Sequence, residues 1–79
     1  MEIRILGSDC SKCNTLYRLV SQVVSENEIK AEVIKTGDIA KIMEYKILSL
    51  PALVINDKVV SEGILPTKNE ILNLIDKHL

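Results

Sequence analysis

Apolar positions along the chain change their period at each polar break, and the changes mark out the elements. Ile3, Ile5 and Leu6 form a short apolar run that stops at Gly7, which predicts a buried strand. From Cys13 the apolar positions are Leu16, Tyr17, Val20, Val23 and Val24, spaced three and four apart, which predicts an amphipathic helix to about Glu26. Ser8 or Asp9 is a fitting N-cap for it. Ile29, Ala31 and Val33 then alternate with Lys30, Glu32 and Ile34, as in a second strand that stops at Thr36-Gly37. Two strands separated by one helix make a βαβ unit, with parallel strands and a right-handed crossover.

Asp38 caps a second helix with an apolar stripe of Ile39, Ile42, Met43 and Ile47. Ser49-Leu50-Pro51 ends it, because proline cannot continue a helix and pushes its predecessor to extended geometry. Ala52-Leu53-Val54-Ile55 is strand-like, Asn56-Asp57 fits a tight turn without the usual glycine, and Lys58-Val59-Val60-Ser61 returns antiparallel. Glu62-Gly63 breaks that strand. Thr67-Lys68-Asn69-Glu70 has the capping-box pattern and opens a last helix whose Ile71, Leu74 and Ile75 face inward. The predicted order is β-α-β-α-β-β-α.

Composition narrows the class. Seventy-nine residues make one domain, 1–79, near the lower end of what folds without staples. With two Tyr, no Phe and no Trp, the core must be built from Ile, Leu and Val. A net charge of -1 with neither sign clustered leaves no stripe for nucleic acid. No apolar stretch reaches the ~18 residues of a membrane span, and the first residues do not read as a signal peptide. The expectation is a cytoplasmic protein with no nucleic-acid or membrane partner.

Both cysteines, Cys10 and Cys13, lie two residues apart where the first strand gives way to the first helix. The unpaired N–H groups of a helix's first turn carry roughly half a positive charge and favour a thiolate over a thiol. A thiolate both attacks disulfides and binds soft metals, so the pair supports two chemistries, thiol–disulfide exchange or copper or zinc binding. A closed zinc site needs four ligands, and the chain offers no second cysteine or histidine pair to supply them. In a reducing compartment such pairs are catalytic or metal-binding rather than structural. Cys10 belongs to the helix entrance, whereas Cys13 falls on the inward stripe with Leu16 and Val20. Lys12 reads as a solvated charge, Tyr45 as partly exposed, and His78 as solvated and without a role.

Together, the Cys-x-x-Cys at a helix start, the βαβ unit, Ser49-Leu50-Pro51-Ala52-Leu53-Val54 and Gly63 after the hairpin resemble the thioredoxin superfamily in its minimal, glutaredoxin-sized form. Small prokaryotic thioredoxin-like proteins with a redox-active disulfide are the nearest group, and the resemblance covers essentially the whole chain. It implies an α/β fold with a four-stranded mixed sheet in order 2-1-3-4, flanked by three helices. Cys10 would be the nucleophile and Cys13 the resolving thiol. Pro51 would be cis, and the backbone of Leu50 would pair with an extended substrate segment. Ser11, Lys12 and Gly63 complete the expected substrate-binding set.

The chain also departs from the family pattern. Asp9 precedes the pair where thioredoxins have Trp, and Ser11-Lys12 replaces Gly-Pro within it. The proton-shuttling acid has no counterpart beyond Glu2, and Gly63 is followed by Ile64-Leu65-Pro66-Thr67 rather than the acidic pair with which glutaredoxins bind glutathione. The expected function is a thiol–disulfide oxidoreductase that reduces protein or small-molecule disulfides, with no cofactor or bound metal beyond its Cys10–Cys13 couple. Its expected partners are a disulfide-containing protein and an upstream thiol reductant such as a thioredoxin reductase, and it is expected to act as a monomer. The alternative is a soft-metal carrier using the same pair. A small apolar surface around Leu50, Pro51 and Ile64 is expected to dock partners by contact.

Overall fold

A computed structural model of the chain describes residues 1–7 and 10–79. The elements run β1 (Glu2–Leu6), α1 (Ser11–Glu26), β2 (Glu32–Thr36), α2 (Ile39–Glu44), β3 (Ala52–Ile55), β4 (Lys58–Glu62) and α3 (Lys68–Asp76). The strands form one sheet in the order β2-β1-β3-β4. β1 runs parallel to β2, with Ile3 opposite Val33, and antiparallel to β3, with Ile5 opposite Leu53. This is the expected architecture.

The sheet faces differ in cover. Ile3 and Ile5 of β1 and Leu53 and Ile55 of β3 point toward α1 and α3, where they pack with Leu16, Val20, Val23, Ile71 and Ile75. Leu6, Ala52 and Val54 point the other way and meet Ile42 of α2, with Tyr45 and Ile47 packed at the margin. Further along that second face Arg4 takes over. Its guanidinium donates to the Glu2 carboxylate at 3.0 Å and to the Thr36 hydroxyl at 2.7 Å. The Glu2 hydrogen bond holds the Arg4 pKa above its ordinary value against a partial desolvation cost.

Two boundaries differ from the sequence reading. β2 begins at Glu32, not at Ile29. Glu28 adopts a left-handed φ of 52° after the C-cap Asn27, and Ile29 N–H donates to the Val24 carbonyl at 3.0 Å. Glu28 N–H donates to the Ser25 carbonyl, so Ile29 closes α1 in a Schellman motif before the strand can start. Helix α2 stops at Glu44 instead of reaching Ser49, because Lys46 turns left-handed at φ 55°. Of its expected stripe only Ile42 is buried, Ile47 is half-buried beyond the helix, and Ile39 and Met43 are 65% and 70% exposed.

At the β3–β4 turn Asn56 and Asp57 both have positive φ, the geometry of a primed two-residue turn, which these residues tolerate better than most. Asn56 is further tied to β1, its side-chain oxygen accepting from Glu2 N–H at 3.0 Å. β4 pairs with β3 through a register shift between Leu53 and Val54. Thr67 and Glu70 make the expected reciprocal capping box at the start of α3. His78, expected in solvent, is half-buried with Nδ1 2.8 Å from the Leu74 carbonyl, a distance that requires the proton on that nitrogen.

Candidate active site

The chain leaves β1 at Leu6, and Gly7 N–H donates to the Thr36 carbonyl at 2.8 Å, which ties the end of β1 to the end of β2. Gly7 has φ 110°, a left-handed conformation that favours glycine. Three residues on, α1 begins with Cys10 as its N-cap. The expected caps Ser8 and Asp9 lie outside the described residues. Cys10 takes the role itself, its Sγ accepting from Cys13 N–H at 3.1 Å. The first sulfur therefore receives a backbone donor at the positive end of a sixteen-residue helix, an arrangement that stabilises negative charge on it.

The two cysteines are joined as a disulfide, with Cα atoms 5.1 Å apart. The sulfur-bearing residues are unequal in access. Cys10 is exposed, whereas Cys13 is 1% exposed at the end of the α1 stripe. Beside them the Leu50–Pro51 peptide bond is cis. Pro51 is fully buried and its carbonyl accepts from Gly63 N–H at 2.9 Å, while Leu50 stays 44% exposed. Among the described residues, no hydrogen bond engages the Leu50 N–H or carbonyl. The Glu62 carboxylate accepts from Leu48 N–H at 2.9 Å and holds the approach to this segment.

A depression of about 310 Å³ opens over the pair, lined by Gly7, Cys10, Cys13, Gly37, Ile39, Ile42 and Leu50. No charged side chain is among these lining residues. Ser11 and Lys12 are exposed in the first turn of α1, outside the lining. Gly63 sits behind the depression, where an added Cβ would lie 2.8 Å from Ser49 Cβ, so it seats the Ser49–Pro51 segment. The expected apolar surface needs correction: Pro51 is buried, and Ile64 lines a separate groove between β4 and α3. Gly37, Ile39 and Ile42 were expected at a strand end and on a helix stripe, not at the site. Their signal was topological, since parallel β1 and β2 bring the loops after them side by side at the carboxyl ends of the strands.

Among the described residues, no three His, Cys, Asp or Glu side chains gather as a metal-binding group. Among the described residues the donors at this site are the two sulfurs, short of a closed four-ligand set.

A sheet of this order, carrying a Cys-x-x-Cys at the first strand-to-helix junction against a proline loop, defines a thiol–disulfide redox protein. A family model described as a thioredoxin domain matches residues 1–76, and the chain belongs to that family. It is 36% identical over 77 residues to a thioredoxin of Methanocaldococcus jannaschii, covering 98% of this chain and 88% of the relative. A thioredoxin of Methanothermobacter thermautotrophicus is 29% identical over 75 residues, covering 95% and 97%. A solved structure of a malarial protein superposes with a TM-score of 0.73 over 99% of this chain and 96% of that one, and at 16% identity it speaks for the fold alone. No helix among the described residues is long and apolar enough to cross a membrane.

Proposed function

We propose that the chain is a reductase of protein disulfides in which Cys10 attacks and Cys13 resolves. The observation that carries this reading is the unequal access of the two sulfurs: Cys10 open at the helix N-terminus, Cys13 shielded behind it. In the reduced protein the Cys10 thiolate attacks one sulfur of a substrate disulfide, forming a mixed disulfide and releasing the other substrate sulfur as a thiolate. Cys13 then loses its proton to solvent and attacks Cys10 Sγ. The Cys10–Cys13 disulfide forms, and the second substrate thiolate leaves and is protonated. Two electrons have passed to the substrate, and an upstream thiol reductant, such as a thioredoxin reductase, returns them.

The N–H and carbonyl of Leu50, without a hydrogen bond among the described residues, suit an extended substrate segment, and the Ile39, Ile42 and Leu50 side chains lining the depression suit docking by apolar contact. Nothing in this cycle calls for a metal or for glutathione.

A titration against dithiothreitol by thiol labelling, with metal assayed on the same sample, tests the proposal. A reversible two-electron transition at or below about −220 mV is expected of a cytosolic reductase. A pair that stays reduced throughout and holds stoichiometric copper or zinc would replace it with the soft-metal carrier. In turnover assays Cys10→Ser loses activity, and Cys13→Ser accumulates mixed disulfides. Full activity in both variants would remove the assignment.

A further inference from the structure

We infer that Gly7 is the positioning residue for the Cys13 sulfur, a role that rests on the reading of Cys13 as the resolving thiol. A Cβ added at Gly7 would lie 2.7 Å from Cys13 Sγ, 3.7 Å from Cys13 Cβ and 3.7 Å from Leu50 Cβ. The last two are ordinary contacts. The first lies far inside the ~3.5–4.0 Å at which nonbonded heavy atoms rest. The missing side chain is therefore the space that the sulfur occupies.

The backbone on either side of that space is anchored. Gly7 N–H is held by the Thr36 carbonyl, and Thr36 is buried and bound in turn by Arg4, so the strand end is anchored. Cys13 is fixed by its own helix and by the packing of Leu16 one turn on. The open side is the depression that Cys13 and Leu50 line, and a sulfur displaced into it leaves its place against Cys10. Any side chain at position 7 moves it away from the Cys10 sulfur that it must attack.

The φ of 110° at Gly7 offers a plainer reason for glycine, backbone geometry alone, and the experiment separates the two. In Gly7→Ala, mixed-disulfide formation through Cys10 should stay within about threefold of the parent. Resolution by Cys13 should slow at least ~10-fold, since ångström-scale misplacement of a reacting group can cost up to ~100-fold. The intramolecular disulfide should weaken by a similar factor, moving the potential about 30 mV more positive per tenfold. Val23→Ala, which hollows the core further along α1, matches the loss of stability without touching the sulfur and should leave the potential in place.

Thermal melts of the parent, Gly7→Ala, Cys13→Ala and the double variant, all under excess reductant, complete the test. Removing Sγ should return part of the melting temperature that Gly7→Ala loses. If Gly7→Ala does not fold alone but folds with Cys13→Ala, the inference stands. It fails if the two losses simply add, if neither protein folds, or if the potential and resolution rate of Gly7→Ala match those of Val23→Ala. Because these readouts use the chain's own sulfurs and dithiothreitol, they stand apart from whether it reduces any protein: absence of a reversible couple in the parent defeats the proposed function, whereas additive melts defeat only the role of Gly7.

Discussion

On the α1 and α3 side of the sheet, Ile3, Ile5, Leu53 and Ile55 are sealed beneath two helices whose inward stripes are Leu16, Val20, Val23, Ile71 and Ile75. On the α2 side, Leu6, Ala52 and Val54 meet little more than Ile42, and a six-residue helix leaves Ile39 and Met43 in solvent. The redox pair sits where the thinner side ends. A chain of this size cannot bury two thick cores. It places its stability on one face and leaves on the other the apolar side chains that a docking surface needs. Under the proposed function, cohesion and recognition fall to different residues, and substitutions should separate them.

The largest effect is expected at Leu16. Leu16→Ala removes a fully buried side chain from the thick face and should cost about 2–5 kcal/mol in urea unfolding. Ile42→Ala, on the thin face, should cost less, and an equal cost would collapse the comparison. Next comes the double variant Ile39→Ser with Met43→Gln. Its stability should stay within about 0.5 kcal/mol of the parent. The KM for a protein disulfide should rise roughly 5-fold or more with kcat held, the scale of losing ~1 kcal/mol of apolar contact. A falling melting temperature with unchanged KM would place these residues in the fold after all.

Thr67→Ala removes the N-cap of α3, on the thick face, and should cost about 1 kcal/mol. The smallest effect is pH-dependent. Hydrogen bonds from the Thr67 backbone N–H, and next from its side chain, lower the Glu70 pKa from its ordinary 4.5. A depressed carboxylate pKa adds stability that is complete above that ordinary value and fades as pH falls through the lowered one. The stability difference between the parent and Glu70→Gln should therefore be flat near neutrality and shrink only below pH 4.5. A difference that grows on acidification would reverse the sign.

Element order and the cysteine pair were legible because each rests on local signals: period changes, a capping box, a proline and a spacing; the sheet order followed from the family resemblance that those signals carry. The boundaries that shifted rest on left-handed residues without a glycine. Glu28 and Lys46 end α1 and α2 in that conformation, and neither residue type advertises it. The stripe of α2 was misread for another reason. Apolar residues at helical spacing show that a helix can bury a face, not that the sheet beneath is wide enough to receive it. The lining of the depression depended on the pairing of β1 with β2 and became readable only with the topology. Pro51 was recognised as part of the site, but its burial was not, since Gly63 and Ser49 enclose that segment from behind.

The register shift in β4 bears on crowding. A sheet margin with unpaired N–H and carbonyl groups invites a strand from another molecule, and pairing of that kind leads to aggregation. β4 forms one such margin. Its ladder to β3 runs in phase only for Lys58 and Val59, then again for Ser61 and Glu62, with Val60 unmatched between them. An incoming flat strand meets no run longer than two residues before the donors and acceptors fall out of step. The irregularity that kinks the hairpin thus also spoils its outer rim as a template for fibre growth.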